Sequence, residues 1–269
     1  MSKKKLVVSG DSWTGGTWSV FENGASRFLI DDTKPVDFKF PLWPDYLGEM
    51  LNMDVINVGF GGRGNEFIYN SIVDKLSSTK DIGFAVVCWS DHLRWDFNSS
   101  GNPVLGDGRP FLRKTLSIDP SNPNPLEKWY NQSLALELQP IIDIFLERKL
   151  TSTEHNFFKT LRWYNAFQNY CESNNISYLH CSAFNELSND VISLMLDHPI
   201  FYKMKEDHFC GWPMFVQIGG FNLSDKLNEV DPEMKNLRVS EEDPHPNTKG
   251  HKVIAELLYK QYELVYDRP

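Results

Sequence analysis

Short β-branched apolar runs alternate along this chain with longer stretches whose apolar residues recur at helical spacing. Residues 4–9, carrying Leu6, Val7 and Val8 just before Gly10, read as a buried strand. Residues 43–52 suit a short helix with Pro44 in its first turn. Residues 54–58 are a second strand, followed by a glycine-rich turn at 59–64. Apolar positions at 67, 68, 72, 73 and 76 predict a helix over 65–77, with Asn65 as N-cap. Residues 83–89 are a third strand and 176–181 a fourth, while 130–148, 154–173 and 246–265 suit helices.

Strands that alternate with helices predict an α/β fold, a parallel sheet covered on both faces. The expected organisation is one domain over 1–269, with insertions at about 13–42 and 91–130 and an irregular region at about 184–240. The stretch after the third strand is rich in Gly, Pro, Asn and Asp, including Ser-Asn-Pro-Asn-Pro at 121–125. It reads as a lid or a substrate-side insertion, because structureless loops of that length are unusual in compact domains.

Composition narrows the function. The 269 residues are 41% hydrophobic and 23% charged, ordinary for a globular chain. A net charge of −9 argues against nucleic-acid partners and against anionic membrane surfaces. Cys88, Cys171, Cys181 and Cys210 form no CxxC pair, so free and mostly buried thiols are expected. The basic start is followed by an apolar run too short for a signal peptide. Cytoplasm is the default location, and a virion-associated or lysate-released protein would read the same. Oligomeric state leaves no mark in the sequence.

Ligands of parallel sheets bind beyond the carboxyl ends of the strands. Three polar segments fall there. Gly10-Asp11-Ser12 follows the first strand and reads either as an exposed nucleophile or as a turn. The turn at 59–64 follows the second and brings backbone amides close to a ligand. It fits G-x-G-x-x-G but lacks the Lys-Ser/Thr of a phosphate loop, and its acidic partner would fall near Asp74 or Asp81. Glu242-Asp243-Pro244-His245-Pro246 precedes the last helix, and His is the natural base near neutral pH.

In this order the three segments resemble the SGNH hydrolase superfamily, the GDSL-type esterases. The resemblance rests on Gly-Asp-Ser at 10–12, on Asn57, Gly59 and Gly62, and on His245-Pro246-Asn247-Thr248-Lys249-Gly250-His251. It implies a three-layer, flavodoxin-like fold and hydrolysis of acyl esters without a cofactor. It further implies Ser12 as nucleophile, His245 as base and the amides of Ser12 and Gly62 as oxyanion donors. Asp243 is the preferred acid behind the histidine and Glu242 the alternative. Where the family places an oxyanion-hole Asn, this chain has Ser90, whose hydroxyl is the expected substitute, with His92 or Arg94 as others.

Candidate substrate contacts around these motifs are Asp11, Trp13, Arg63, Asn65, Trp89 and His92. Arg63 would meet an anionic group, cap a strand end or pair with Asp91. The aromatic fraction is 13%, with eight Trp, and Trp13, Trp18, Trp89 and Trp95 flank the site as a sugar platform or as core. Asp207, His208 and Cys210 lack further metal ligands nearby, so no metal is expected. The expected substrate is a small-molecule or glycan ester, with acetyl as the acyl group. A broad lipase-like esterase, a glycan-binding module on a weakened hydrolase scaffold and a nucleotide-binding protein are the alternatives.

Overall fold

The computed structural model describes residues 3–15, 40–99, 102–107, 140, 143–145, 147–148, 152–184, 189–239 and 244–267. Four strands form a parallel sheet: β1 (Lys5–Gly10), β2 (Asp54–Asn57), β3 (Ile82–Trp89) and, after a hairpin, β6 (Tyr178–Ser182). The order across the sheet is β2-β1-β3-β6. Gly10 lies beside Cys88, and Cys88 beside Cys181, so the strands end nearly level. The sheet is thus the parallel α/β sheet that the alternation predicts.

Side chains of a strand alternate between faces, and this divides the core in two. Val7, Ala85, Val87, Trp89 and Tyr178 pack on one side against helices α3 (Asn65–Ser78) and α4 (Thr153–Ser173). Leu6, Val8, Phe84, Val86, Cys88 and Leu179 pack on the other. Their partners there are α2 (Trp43–Met50) and α7 (Thr248–Tyr266). Continuous β-branched runs are what a sheet buried on both faces requires. Each such side chain, fully buried, contributes about 1.5–3 kcal/mol.

Helix α3 differs from expectation at its start. Its N-cap is Gly64, not Asn65, and Gly64 has no side chain to cap with. Asp96 supplies the cap from elsewhere, accepting from the amides of Gly64 and Phe67 at 2.8 Å each. Burial pushes the Asp96 carboxyl up from its ordinary range, opposed by those two amides and by Arg63.

The segment after β3 opens with an antiparallel hairpin, β4 (Arg94–Ser99) and β5 (Asn102–Asp107), where the sequence suggested loop. Residues 16–39 and 108–139 lie outside the described set, so most of both expected insertions and most of the 130–148 helix do too. The described residues of the 184–240 region form two helices, α5 (Asn189–Asp197) and α6 (Leu223–Val230), with three short 3-10 turns between them. All four cysteines are free and buried, as expected.

Candidate active site

The chain leaves β1 through a tight turn into α1 (Ser12–Gly15). A Cβ at Gly10 would stand 2.9 Å from the Cys88 carbonyl and closer still to Thr14, so glycine alone fits the end of this strand. Asp11 turns inward and is fully buried. Its Oδ1 accepts from the Trp13 amide at 3.0 Å, and its Oδ2 from the Ser90 hydroxyl at 2.8 Å and Arg94 Nη1 at 3.0 Å. The buried carboxylate is therefore paired, as interior charges must be, and it fixes the turn that presents Ser12.

The Ser12 Oγ lies 2.8 Å from His245 Nε2, although 233 residues separate the two. Ser12 is only 8% exposed. The histidine is held by its backbone. Val239 donates its amide to the His245 carbonyl at 2.9 Å, and Asn247 donates to Leu237 at 3.0 Å, across a bridge between Arg238 and Pro246. Asn247 then caps α7, accepting from the amides of Lys249 and Gly250. It also donates to the carbonyls of Asn236 and Arg238. Asp231 closes the turn beneath, accepting from the amides of Asn236 and Leu237. Both candidate acids, Asp243 and Glu242, lie outside the described residues.

The turn after β2 packs against α1. Asn57 donates to the Thr14 carbonyl at 2.7 Å and accepts from the Gly59 amide at 2.9 Å. Phe60 donates its amide to the Gly10 carbonyl at 2.9 Å. Gly62 adopts φ +70°, a left-handed conformation that favours glycine. The residues of the three sequence motifs thus meet at one end of the sheet.

Several sequence-derived contacts turn out to be interior. Ser90 gives its single hydroxyl proton to Asp11, and its amide to Asn65 Oδ1, so its hydroxyl does not serve as the expected oxyanion donor. Asn65 is buried and also donates to the Ser90 carbonyl and to Thr160, which makes it a staple between α3 and the end of β3 rather than a substrate contact. Asp11 is likewise consumed inside the turn. Trp89 is fully buried, donating to His180 and packed against Tyr164. His92 is buried, edge-on to Phe157, with Nδ1 3.3 Å from Asp91. Arg63 is buried, its guanidinium over the rings of Phe60 and Phe67. Burial lowers its pKa, and the charge of Asp96 opposes that shift.

Trp13 stays beside the nucleophile but is buried between neighbours. Its ring is 6.1 Å from Phe184 and 6.4 Å from His245, with the Arg238 guanidinium 5.1 Å away. Arg94 covers Phe184 at 5.0 Å. Composition had no means of singling out Arg238, which lies in the region without clear periodicity. Among the described residues, Phe60 is an aromatic exposed at this end, 44% exposed on the glycine turn.

His251 is interior: its Nδ1 accepts from the Trp43 amide, and burial drives its pKa down to about 3. His208 pairs with Asp207 at 2.8 Å. Among the described residues no three His, Cys, Asp or Glu side chains are grouped to hold a metal, and no helix is long and apolar enough to cross a membrane.

No protein-family model matches the chain, and no curated protein does. Solved structures similar to it include an alpha/beta hydrolase enzyme from the metagenome of Lake Arreo, at 12% identity and a TM-score of 0.46, covering 97% of this chain and 95% of that one. The psychrotrophic esterase EstA from Pseudoalteromonas sp. is 10% identical with a TM-score of 0.44, covering 98% of this chain and 100% of its own. A member of the lipolytic protein G-D-S-L family from Veillonella parvula is 10% identical with a TM-score of 0.39, covering 99% and 100%.

Proposed function

We propose that the chain is a serine hydrolase of the SGNH type that cleaves carboxylic esters, removing acetyl groups from a carbohydrate. The observation that carries this reading is the 2.8 Å contact between Ser12 Oγ and His245 Nε2. A serine is a weak nucleophile until a base within hydrogen-bond reach takes its proton. In the proposed reaction Ser12 Oγ attacks the acyl carbon as its proton passes to His245 Nε2. The imidazolium then protonates the leaving sugar oxygen. Water, deprotonated by the same ring, attacks the acyl-enzyme and releases acetate and Ser12. Asp243, or Glu242 in its place, holds the other ring nitrogen and stabilises the imidazolium.

The amides of Ser12 and Gly62 are the proposed oxyanion donors. With the Ser90 hydroxyl engaged by Asp11, this hole has no third donor from that position. Loss of one such donor costs about 3 kcal/mol of transition-state stabilisation, so turnover is expected to be modest. Phe60, exposed on the same turn and backed by Arg63 at 4.6 Å, offers a ring face on which a sugar can stack.

The test is a panel of short p-nitrophenyl esters, acetylated monosaccharides and acetylated polysaccharides. Acetate release from the acetylated sugars, lost in Ser12→Ala, is the expected result. Resistance of every substrate by folded protein would defeat the esterase reading. Glycan binding without turnover would favour a binding module instead.

A further inference from the structure

Arg238 stands where the nucleophile turn, the histidine loop and α6 converge. It is 3% exposed, and among the described residues no carboxylate lies within ion-pair distance of it. Its Nη2 donates to the Ser224 carbonyl and hydroxyl at 3.1 Å each and to Asn228 Oδ1 at 2.7 Å, while Nη1 is buried without a hydrogen-bond partner among the described residues. The guanidinium is 5.1 Å from the Trp13 ring centroid. Trp13 directly follows the nucleophile, and its ring is 6.4 Å from that of His245. The Arg238 backbone bridges to Pro246, immediately after His245.

Stability alone does not favour this arrangement. Among the described residues the charge of Asp231 opposes the cost of burying this cation but forms no ion pair with it, and an apolar side chain of similar volume would fill the space with less penalty. A desolvated guanidinium over an indole gains its attraction only when the ring stays in register. One side chain thereby ties helix α6 and the indole beside Ser12 together, while its backbone holds the loop that carries His245.

We propose that Arg238 is a positioning residue of the Ser12–His245 pair, acting through Trp13. This rests on the serine-hydrolase reading above. Displacement of a reacting group by about 1 Å can cost about a hundredfold in rate, so small losses of register are readable as kinetics.

The experiment compares wild type, Arg238→Lys, Arg238→Met and Trp13→Leu. Each is assayed for its rate of labelling by a fluorophosphonate, for kcat and KM on p-nitrophenyl acetate, and for Tm. Crystal structures of the folded variants give the Ser12–His245 distance. The proposal expects Arg238→Met and Trp13→Leu to label at least about tenfold more slowly while still folded, with kcat falling and KM little changed. Arg238→Lys should recover part of the rate, because it keeps the charge. In the crystal, the contact should open beyond hydrogen-bond reach in Arg238→Met. A purely structural role would lower Tm and leave the folded protein labelling at the wild-type rate, which overturns the proposal. Should Arg238→Met not fold, Trp13→Leu decides, since it leaves the three Arg238 hydrogen bonds in place. Should wild type itself resist labelling, the hydrolase reading fails, and the crystallographic distance then judges the positioning role separately: an unchanged distance in the variants refutes it.

Discussion

Two interior histidines make the protein's stability depend on pH. Burial pushes the pKa of both His180 and His251 down to about 3. His180 accepts from the Trp89 indole and His251 from the Trp43 amide, so both rings are held neutral. An unfolded chain protonates these rings near pH 6.5, whereas the folded chain resists until far lower. Their contribution is therefore complete above about pH 6.5 and is lost progressively as pH falls towards about 3. Urea midpoints should decline from pH 7 to pH 5, by about 1.4 kcal/mol per pH unit for each ring once below its unfolded pKa. Replacing His251 by Gln should remove about half of that slope. A flat profile between pH 7 and pH 5 would contradict the burial of these rings as neutral groups.

The joints between elements depend on carboxylates reaching across the sequence. Asp96 caps α3 from the hairpin through the amides of Gly64 and Phe67. Asp96→Ala should lower stability by about 1–2 kcal/mol, read by chemical denaturation; an unchanged midpoint would mean the helix start is capped otherwise. The Asp11–Arg94 pair joins the end of β1 to the start of β4 at 3.0 Å. Arg94→Met strands a buried carboxylate and should cost about 3–5 kcal/mol. The double variant Arg94→Met with Asp11→Asn should recover much of that loss, because the uncompensated charge is gone. Equal stability of single and double variants would deny the pairing.

Across the molecule, strands are legible because two-faced burial demands continuous apolar runs. Val7 and Val8 serve opposite halves of the core from adjacent positions, and such a run reads as strand without knowledge of its partners. At the ends of the chain the motifs name Ser12 and His245, and the fold brings their side chains to 2.8 Å. Side chains whose role depends on a distant partner were not legible. Asn65 looked like a cap and is a staple to Ser90, 25 residues away. Ser90 looked like an oxyanion donor because its consumption by Asp11, 79 residues earlier, leaves no local trace. Trp89 reads as platform or as core and is core, since composition does not tell a buried indole from an exposed one. Nothing local in the sequence marks Arg238, because only the folded chain brings it to Trp13.

Ester cleavage at this site requires His245 to activate Ser12. Mass-spectrometric mapping of a fluorophosphonate adduct addresses that dependence most directly. Activation by His245 leads to a single adduct on Ser12, absent from Ser12→Ala and formed at least about a thousandfold more slowly in His245→Ala. Folded wild-type protein that carries no adduct on Ser12, or His245→Ala that labels as fast as wild type, would contradict it.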